Sequence, residues 1–286
     1  MNDTAEPSDA PAPPWRRLLD LVTGLRHAPP GAGRIIPAVV FGALCHALFA
    51  VAVGAMILVM YSGMTLGQGG FSGVTAGLVN LVLIVQFPLA HSALLTRRGR
   101  KLTAALWPGP RGADMSTTTF AVVASAQLSL LFVCWSPSGI VWWRAEGPAL
   151  WTVTCLYALS WGLLIRASYD AGAEVQSGAL GWMSVVQNRR PVYPDMPVTG
   201  LFRIIRQPIY LSFALTLWTV PVWTPDQLGL AVLLTLYCVF APRLKEKRFS
   251  ARYGAGFDAY RAQVPYMLPW RRSGTQITRG SEGISR

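Results

Sequence analysis

Six stretches of this chain run without a single charged side chain. They cover residues 35–61 (27 positions), 74–95 (22), 117–135 (19), 149–165 (17), 207–225 (19) and 227–242 (16). A helix that crosses a bilayer needs about 20 mostly apolar residues, so each stretch predicts a transmembrane helix. Only Thr224, Pro225 and Asp226 stand where the last two stretches meet, which predicts a helical hairpin closed by a Pro-Asp turn.

Charges punctuate this pattern with a regular alternation. Arg16, Arg17, Arg26 and Arg34 precede the first stretch, and residues 62–73 carry no charge. Arg97, Arg98, Arg100, Lys101 and Arg111 follow the second, whereas only Arg144 and Glu146 lie between the third and fourth. Arg166, Arg189, Arg190, Arg203 and Arg206 follow the fourth, Asp226 alone marks the fifth turn, and Arg243, Lys245, Lys247 and Arg248 follow the sixth. The positive-inside rule then predicts a multi-pass protein with both termini in the cytoplasm.

Composition agrees with lipid as solvent. Charged residues make up 13% of the 286, against about 25% in soluble domains. The net charge of +12 is read as a topology signal and an attraction to anionic membrane lipid. No nucleic-acid-reading module accompanies it, so nucleic acid is excluded as a partner. Cys45, Cys134, Cys155 and Cys238 lie in apolar stretches with neither metal spacing nor a disulfide framework, and are expected to be packed thiols. The predicted fold class is all-α: a polytopic integral membrane protein of about six helices with a C-terminal hairpin and a cytoplasmic cap. Residues 1–33 are expected to form a disordered, basic tail, 34–270 the membrane domain, and 271–286 a second disordered tail. Oligomeric state is not readable.

The cap is predicted from two segments. Residues 167–206 make a connection of 40 residues that carries Leu180, Trp182, Met183, Val185, Val186 and Tyr193. A loop this long and this apolar is expected to be ordered and functional. After the sixth stretch, Phe249, Tyr253, Phe257, Tyr260 and Val264 recur at helical spacing, with Gly254 and Gly256 expected to break that helix in two. Cap and membrane meet at "RQPIYLSF", residues 206–213. Pro208 suits the first turn of a helix, and the residues before it are expected to offer free backbone donors at a positive dipole end. Arg203 and Arg206 add charge there, and Tyr210 lies one turn further in. The same residues also describe an ordinary helix start.

Other polar groups lie at membrane depth. His91 and His46 are either packed histidines or functional ones. Asn80, Gln86 and Gln127 are expected to make interhelical hydrogen bonds. Arg166, Asp170 and Glu174 recur at i, i+4 and i+8, giving either one solvated helix face or carboxylates that enter the cap. No phosphate-binding loop, dinucleotide fingerprint or Ser-His-Asp spacing is present.

The stretches "VTGLFRIIRQPIYLSF" and "EKRFSARYGAGFDAYRAQVPYMLPW", with "LAHSAL" and "TPDQLGLAV" elsewhere, resemble the isoprenylcysteine carboxyl methyltransferase superfamily, most of all its bacterial methanethiol S-methyltransferases. The resemblance implies an enzyme of the bacterial inner membrane that binds S-adenosyl-L-methionine in the cap. It places Pro194, Asp195, Met196, Pro197, Phe202, Gln207, Pro208, Ile209, Tyr210, Lys245 and Glu246 at the cofactor, and His91, Gln207 and Glu246 at the chemistry, with no metal. The implied acceptor is a small or lipophilic thiol. The alternatives are a lipophilic thioether acid methylated on its carboxylate, and a non-catalytic membrane factor on the same scaffold. This chain departs from the family pattern at three places. Gln207 replaces a His and cannot take a proton near neutral pH. Phe202 stands where Tyr is usual. Lys245 replaces the first Glu of a pair, and is expected to turn its flexible stem toward lipid headgroups, because an inward ammonium would repel a sulfonium. The methyltransferase reading expects a polar chamber beneath the cap large enough for a nucleoside.

Overall fold

A computed structural model describes residues 13–269. It is an all-α polytopic membrane protein. Five helices are long and apolar enough to cross a bilayer: α2 (Ala32–Tyr61), α3 (Gly73–Leu94), α5 (Gly112–Val133), α6 (Gly147–Gln176) and α9 (Pro225–Tyr253). Shorter helices decorate the basic end: α1 (Pro14–Arg26), α4 (Arg97–Ala105), α7 (Ala179–Val186) and α10 (Ala255–Gln263).

The sixth predicted span differs. The uncharged run 207–225 yields an α8 of only 11 residues, Pro208–Trp218. At 1.5 Å per residue it reaches about half of a ~30 Å hydrocarbon core. Pro221 lacks the donor that would continue the helix, and the chain turns extended instead. β2 (Val222–Trp223) pairs antiparallel with β1 (Trp143–Arg144), in the register Trp143↔Trp223 and Arg144↔Val222. Val220 and Val222 are buried, so this non-helical backbone is sheltered by protein. The adjoining turn is locked by side chains. The Thr224 hydroxyl donates to the Gly63 carbonyl at 2.7 Å and accepts from the Gln227 N–H at 2.9 Å, capping α9 with Pro225 in its first turn.

The larger of two buried apolar clusters includes Met60, Met64, Leu131, Phe132, Leu217, Leu230 and Leu234, with Val220 beside this turn. Asn80 pins α3 to the segment beyond α5: its amide nitrogen donates to the Ser136 carbonyl at 2.8 Å, and its oxygen accepts the Ser136 N–H at 3.0 Å. Gln86 likewise donates to the Gln127 carbonyl at 3.0 Å. The Gln86 bond is interhelical as expected, whereas Asn80 bonds the segment beyond α5 and the Gln127 side-chain oxygen is buried without a partner. Cys45 and Cys238 are buried and Cys134 and Cys155 exposed, all as free thiols.

The basic end is more ordered than its sequence suggests. Residues 14–26, expected within a disordered tail, form α1, which packs on α6 and α7. The remaining tail residues before 13 and the tail at 271–286 lie outside the described residues. Half of the predicted long connection is helix: α6 continues to Gln176, and α7 wedges between α2 and α5. Trp182 on α7 lies so close to α2 that a Cβ on Gly42 would come within 2.5 Å of its ring. The Trp182 indole donates to His46 Nε2 at 3.1 Å, which gives that histidine a structural partner.

Candidate functional site

α6 positions the roof. Gly172 breaks it with φ 107°, a conformation that favours glycine, and a Cβ there would approach the Pro194 ring to 2.9 Å. The break takes Glu174 off the helical line through Arg166 and Asp170. Asp170 forms an ion pair with Arg166 at 3.1 Å and accepts the Leu201 N–H at 2.8 Å. Glu174 pairs with Arg17 of α1 at 2.9 Å. Both carboxylates thus help to hold the cap together, Asp170 through Arg166 and Leu201 and Glu174 through Oε1 alone, its Oε2 being buried without a hydrogen-bond partner. Gly200, with φ 59°, makes room for Asp170 at the start of a 3₁₀ turn, Gly200–Arg203. That turn delivers Phe202 and Arg206 to the collar.

The collar is closed by the C-terminal segment. The N–H of Arg206 donates to the Pro265 carbonyl at 2.9 Å, and that of Gln207 to the Tyr266 carbonyl at 3.1 Å. The donors expected to be free for an anion are thus engaged, because the chain after α10 returns to cover them. Arg206 organises this closure. Its Nε lies 2.9 Å from Glu246 Oε1, and its Nη1 donates to the carbonyls of Arg261 at 3.0 Å and Val264 at 2.5 Å. The guanidinium also lies over the Tyr266 ring, 5.6 Å from its centre.

Glu246 Oε1 accepts a second bond from Gln207 Nε2 at 2.8 Å. This fixes the amide, and leaves Gln207 Oε1 buried without a partner. Beside it stands an aromatic wall. Phe257 meets Phe249 edge-on, with centroids 6.0 Å apart and planes at 88°. Tyr260 adjoins Phe257 at 6.3 Å, and its hydroxyl donates to the Phe202 carbonyl at 2.6 Å. Burial pushes the Tyr260 phenol above its ordinary range, against the opposing pull of the Arg206 guanidinium, so it stays a neutral donor.

Of the residues placed at the cofactor by resemblance, Pro197, Phe202, Gln207, Lys245 and Glu246 line one small space. Arg206, Phe249, Phe257 and Tyr260 line it too. The aromatic three were legible only as a helical stripe. Pro208 begins α8, with Ile209 beside it, and Tyr210 turns to Tyr237 of α9, with ring centres 6.5 Å apart. Pro194 packs at Gly172, Asp195 is exposed and Met196 partly buried. His91 sits at the basic end of α3 between Phe87 and Phe120, its Nδ1 buried without a partner. None of these last seven predicted residues, His91 included, lines the space.

Lys245 does not turn away to the headgroups. Its Nζ stands 5.3 Å from the centre of the Phe202 ring and 5.2 Å from that of Phe249. Two ring faces attract the ammonium more than exposure on the helix surface would. With Lys245 inside, the free space is about 10 Å³, room for about one water and far from the ~300 Å³ at which ligand pockets begin. The expected nucleoside-sized chamber is closed in this arrangement. Its lining still suits a cationic cofactor: an orphaned acceptor at Gln207, a carboxylate at Glu246, and aromatic faces that already hold a cation.

No family model matches the chain, and no solved structure does. Among curated proteins it is similar to a methanethiol S-methyltransferase of Bradyrhizobium diazoefficiens, with 28% identity over 200 residues, 69% of this chain and 68% of the relative. It is 26% identical to the methanethiol S-methyltransferase of Pseudomonas deceptionensis over 203 residues, 70% of this chain and 75% of the relative. Nurim of Xenopus laevis is 24% identical over 186 residues, 58% of this chain and 60% of the relative. The likeness to methanethiol S-methyltransferases expected from the collar and tail motifs is met by these relatives, over about 70% of the chain.

Proposed function

We propose that this chain is a membrane-embedded, S-adenosylmethionine-dependent methyltransferase of a small or lipophilic thiol, with its basic end in the cytoplasm of a bacterial inner membrane. One observation carries the reading: in a chain similar over most of its length to methanethiol S-methyltransferases, an orphaned acceptor, a carboxylate and an aromatic corner converge at one end of the bundle. Glu246 and Gln207 Oε1 are the groups to hold the cofactor's ammonium, and Phe202, Phe249 and Phe257 are the faces for its sulfonium. When bound, the cofactor supplies an electrophilic methyl group on a good leaving group.

The chain's own part is positioning and dehydration. Gln207 donates to Glu246 and cannot take a proton. A thiol acceptor tolerates that, since the small fraction present as thiolate at neutral pH is a strong nucleophile that needs no protein base. Of the three histidines, His46 is engaged by Trp182 and His27 is exposed at the end of α1. His91, packed between Phe87 and Phe120, does not line the space either, so the thiol gives its proton to water before it enters as thiolate. Roof and tail exclude water from the collar, while the exposed apolar flanks of α3 and α6 leave a lipophilic acceptor free to arrive through lipid.

A second reading is favoured by the closed space around Lys245: a non-catalytic membrane factor on the same scaffold. Calorimetric titration of the purified full-length chain with S-adenosylhomocysteine, followed by a labelled-methyl assay over a panel of thiols and lipophilic acids, decides between them. Binding heat and label transferred to a thiol are expected. Absence of heat at millimolar ligand, with no label transferred to any acceptor, would establish the non-catalytic reading instead.

A further inference from the structure

Lys245 feels the carboxylate of Glu246 only at a distance. Among the described residues it forms no ion pair, because the adjacent Glu246 is taken by Arg206, and it makes no hydrogen bond. Its partners are the faces of Phe202 and Phe249, and Phe257 stands edge-on behind Phe249. Aromatic faces hold a cation through the ring quadrupole, whatever the cation's chemistry, so the corner is equally suited to an ammonium and to a sulfonium. The corner has room for one of them. The four-carbon stem gives the ammonium another place to go. It leaves α9 beside the exposed Arg243, Lys247 and Arg248, from which the headgroup region is within reach.

We propose that Lys245 is a built-in stand-in ligand, whose ammonium occupies the aromatic corner and must be displaced by the methyl donor's sulfonium. This rests on the reading of the collar as a methyl-donor site and deepens it. Displacement sets two cations in competition for one corner. A donor with a charged sulfur is therefore disfavoured relative to the demethylated product, whose sulfur is neutral. Lys245 thereby biases the site toward retaining product and toward slow reloading, in a manner a carboxylate at that position would reverse. It also accounts for part of the closure to about 10 Å³, since the Lys245 stem fills the corner that the sulfonium would take.

The test compares three nucleosides by calorimetry on the full chain in detergent micelles. They are S-adenosylmethionine, sinefungin (an ammonium in place of the sulfonium) and S-adenosylhomocysteine. Lys245→Met is expected to tighten the two cationic ligands by about tenfold or more, while the neutral-sulfur ligand changes by less than about threefold. Lys245→Gln is expected to shift the ratio in the same direction, and Lys245→Arg, which keeps the charge, to leave it at the parent value. An equal gain for all three ligands means that Lys245 only fills space, and overturns the proposal. A loss for all three means that it binds the ligand carboxylate, and overturns it as well. If neither parent nor variants bind any of the three, the methyl-donor reading itself falls, an outcome distinct from the other two.

Discussion

Removing the Glu246 carboxylate is expected to open the collar. Glu246→Ala deletes the acceptor of the Arg206 Nε bond at 2.9 Å and of the Gln207 amide bond at 2.8 Å. The Arg206 and Glu246 side chains are 11% and 15% exposed, so the guanidinium left behind is poorly hydrated. Breaking one partner of a buried pair costs about 3–5 kcal/mol. Arg206 keeps its bonds to the Arg261 and Val264 carbonyls, which places the expected loss at the lower end, about 3 kcal/mol. At about 2–4 °C per kcal/mol for a chain of this size, the midpoint falls by roughly 6–12 °C. Glu246→Gln keeps the shape and one acceptor, and is expected to lose about half as much. The assay is thermal unfolding in detergent, followed by tryptophan fluorescence, with S-adenosylhomocysteine titration on the same samples. Binding is expected to weaken more than melting alone explains, because Gln207 loses the bond that aims its free oxygen. Midpoints within about 2 °C of the parent for both variants, with unaltered binding, would refute the network as the organiser of the collar.

Two further outcomes follow from the same geometry. Gly200→Ala forces a side chain into a left-handed position and sets its Cβ 2.1 Å from Asp170 Oδ2, so it is expected to lose about 2–3 kcal/mol and to expose residues 190–203 to limited proteolysis sooner than in the parent. Tyr260→Phe removes the bond to the Phe202 carbonyl and about 1 kcal/mol. Because burial raises the Tyr260 phenol in the folded chain, its stabilisation is complete below the ordinary value of 10.0 and is lost as pH rises toward the displaced one. Denaturant unfolding at about pH 9 and about pH 11 is therefore expected to show a shallower decline in Tyr260→Phe than in the parent.

The spans were legible because lipid demands long uncharged runs, and five of the six runs became spanning helices. The sixth failed at a particular residue. Hydropathy registers Val220, Pro221 and Val222 as apolar, but not that Pro221 ends the helix and that a strand partner waits at Trp143 and Arg144. The cap was read as a loop because its helices are short and its punctuation is glycine: Gly172 and Gly178 take positive φ inside a region that is otherwise helical. Gly254, in contrast, broke the final stripe where its composition said it should. In the candidate site, Gln207 and Phe202 line one space with Glu246, which is distant from them in sequence. The engaged backbone donors could not be foreseen, since their acceptors, Pro265 and Tyr266, lie about 60 residues downstream. Lys245 misled for a related reason. Snorkelling is the default for a lysine near a membrane surface, and it was overridden by two rings, one of them from a different segment.

The packed core bears on cellular energy. A bundle that admits a charged nucleoside part-way into a membrane risks becoming a leak, since each elementary charge crossing at 100 mV dissipates about 2.3 kcal/mol. Met60, Met64, Phe132 and Leu217 are fully buried and pack into one apolar cluster, which offers water no polar partner along its length. On the proposed reading, one mouth would open to a ligand while the voltage across the membrane drops over packed hydrocarbon, much as a capacitor keeps its charge when only one plate is touched.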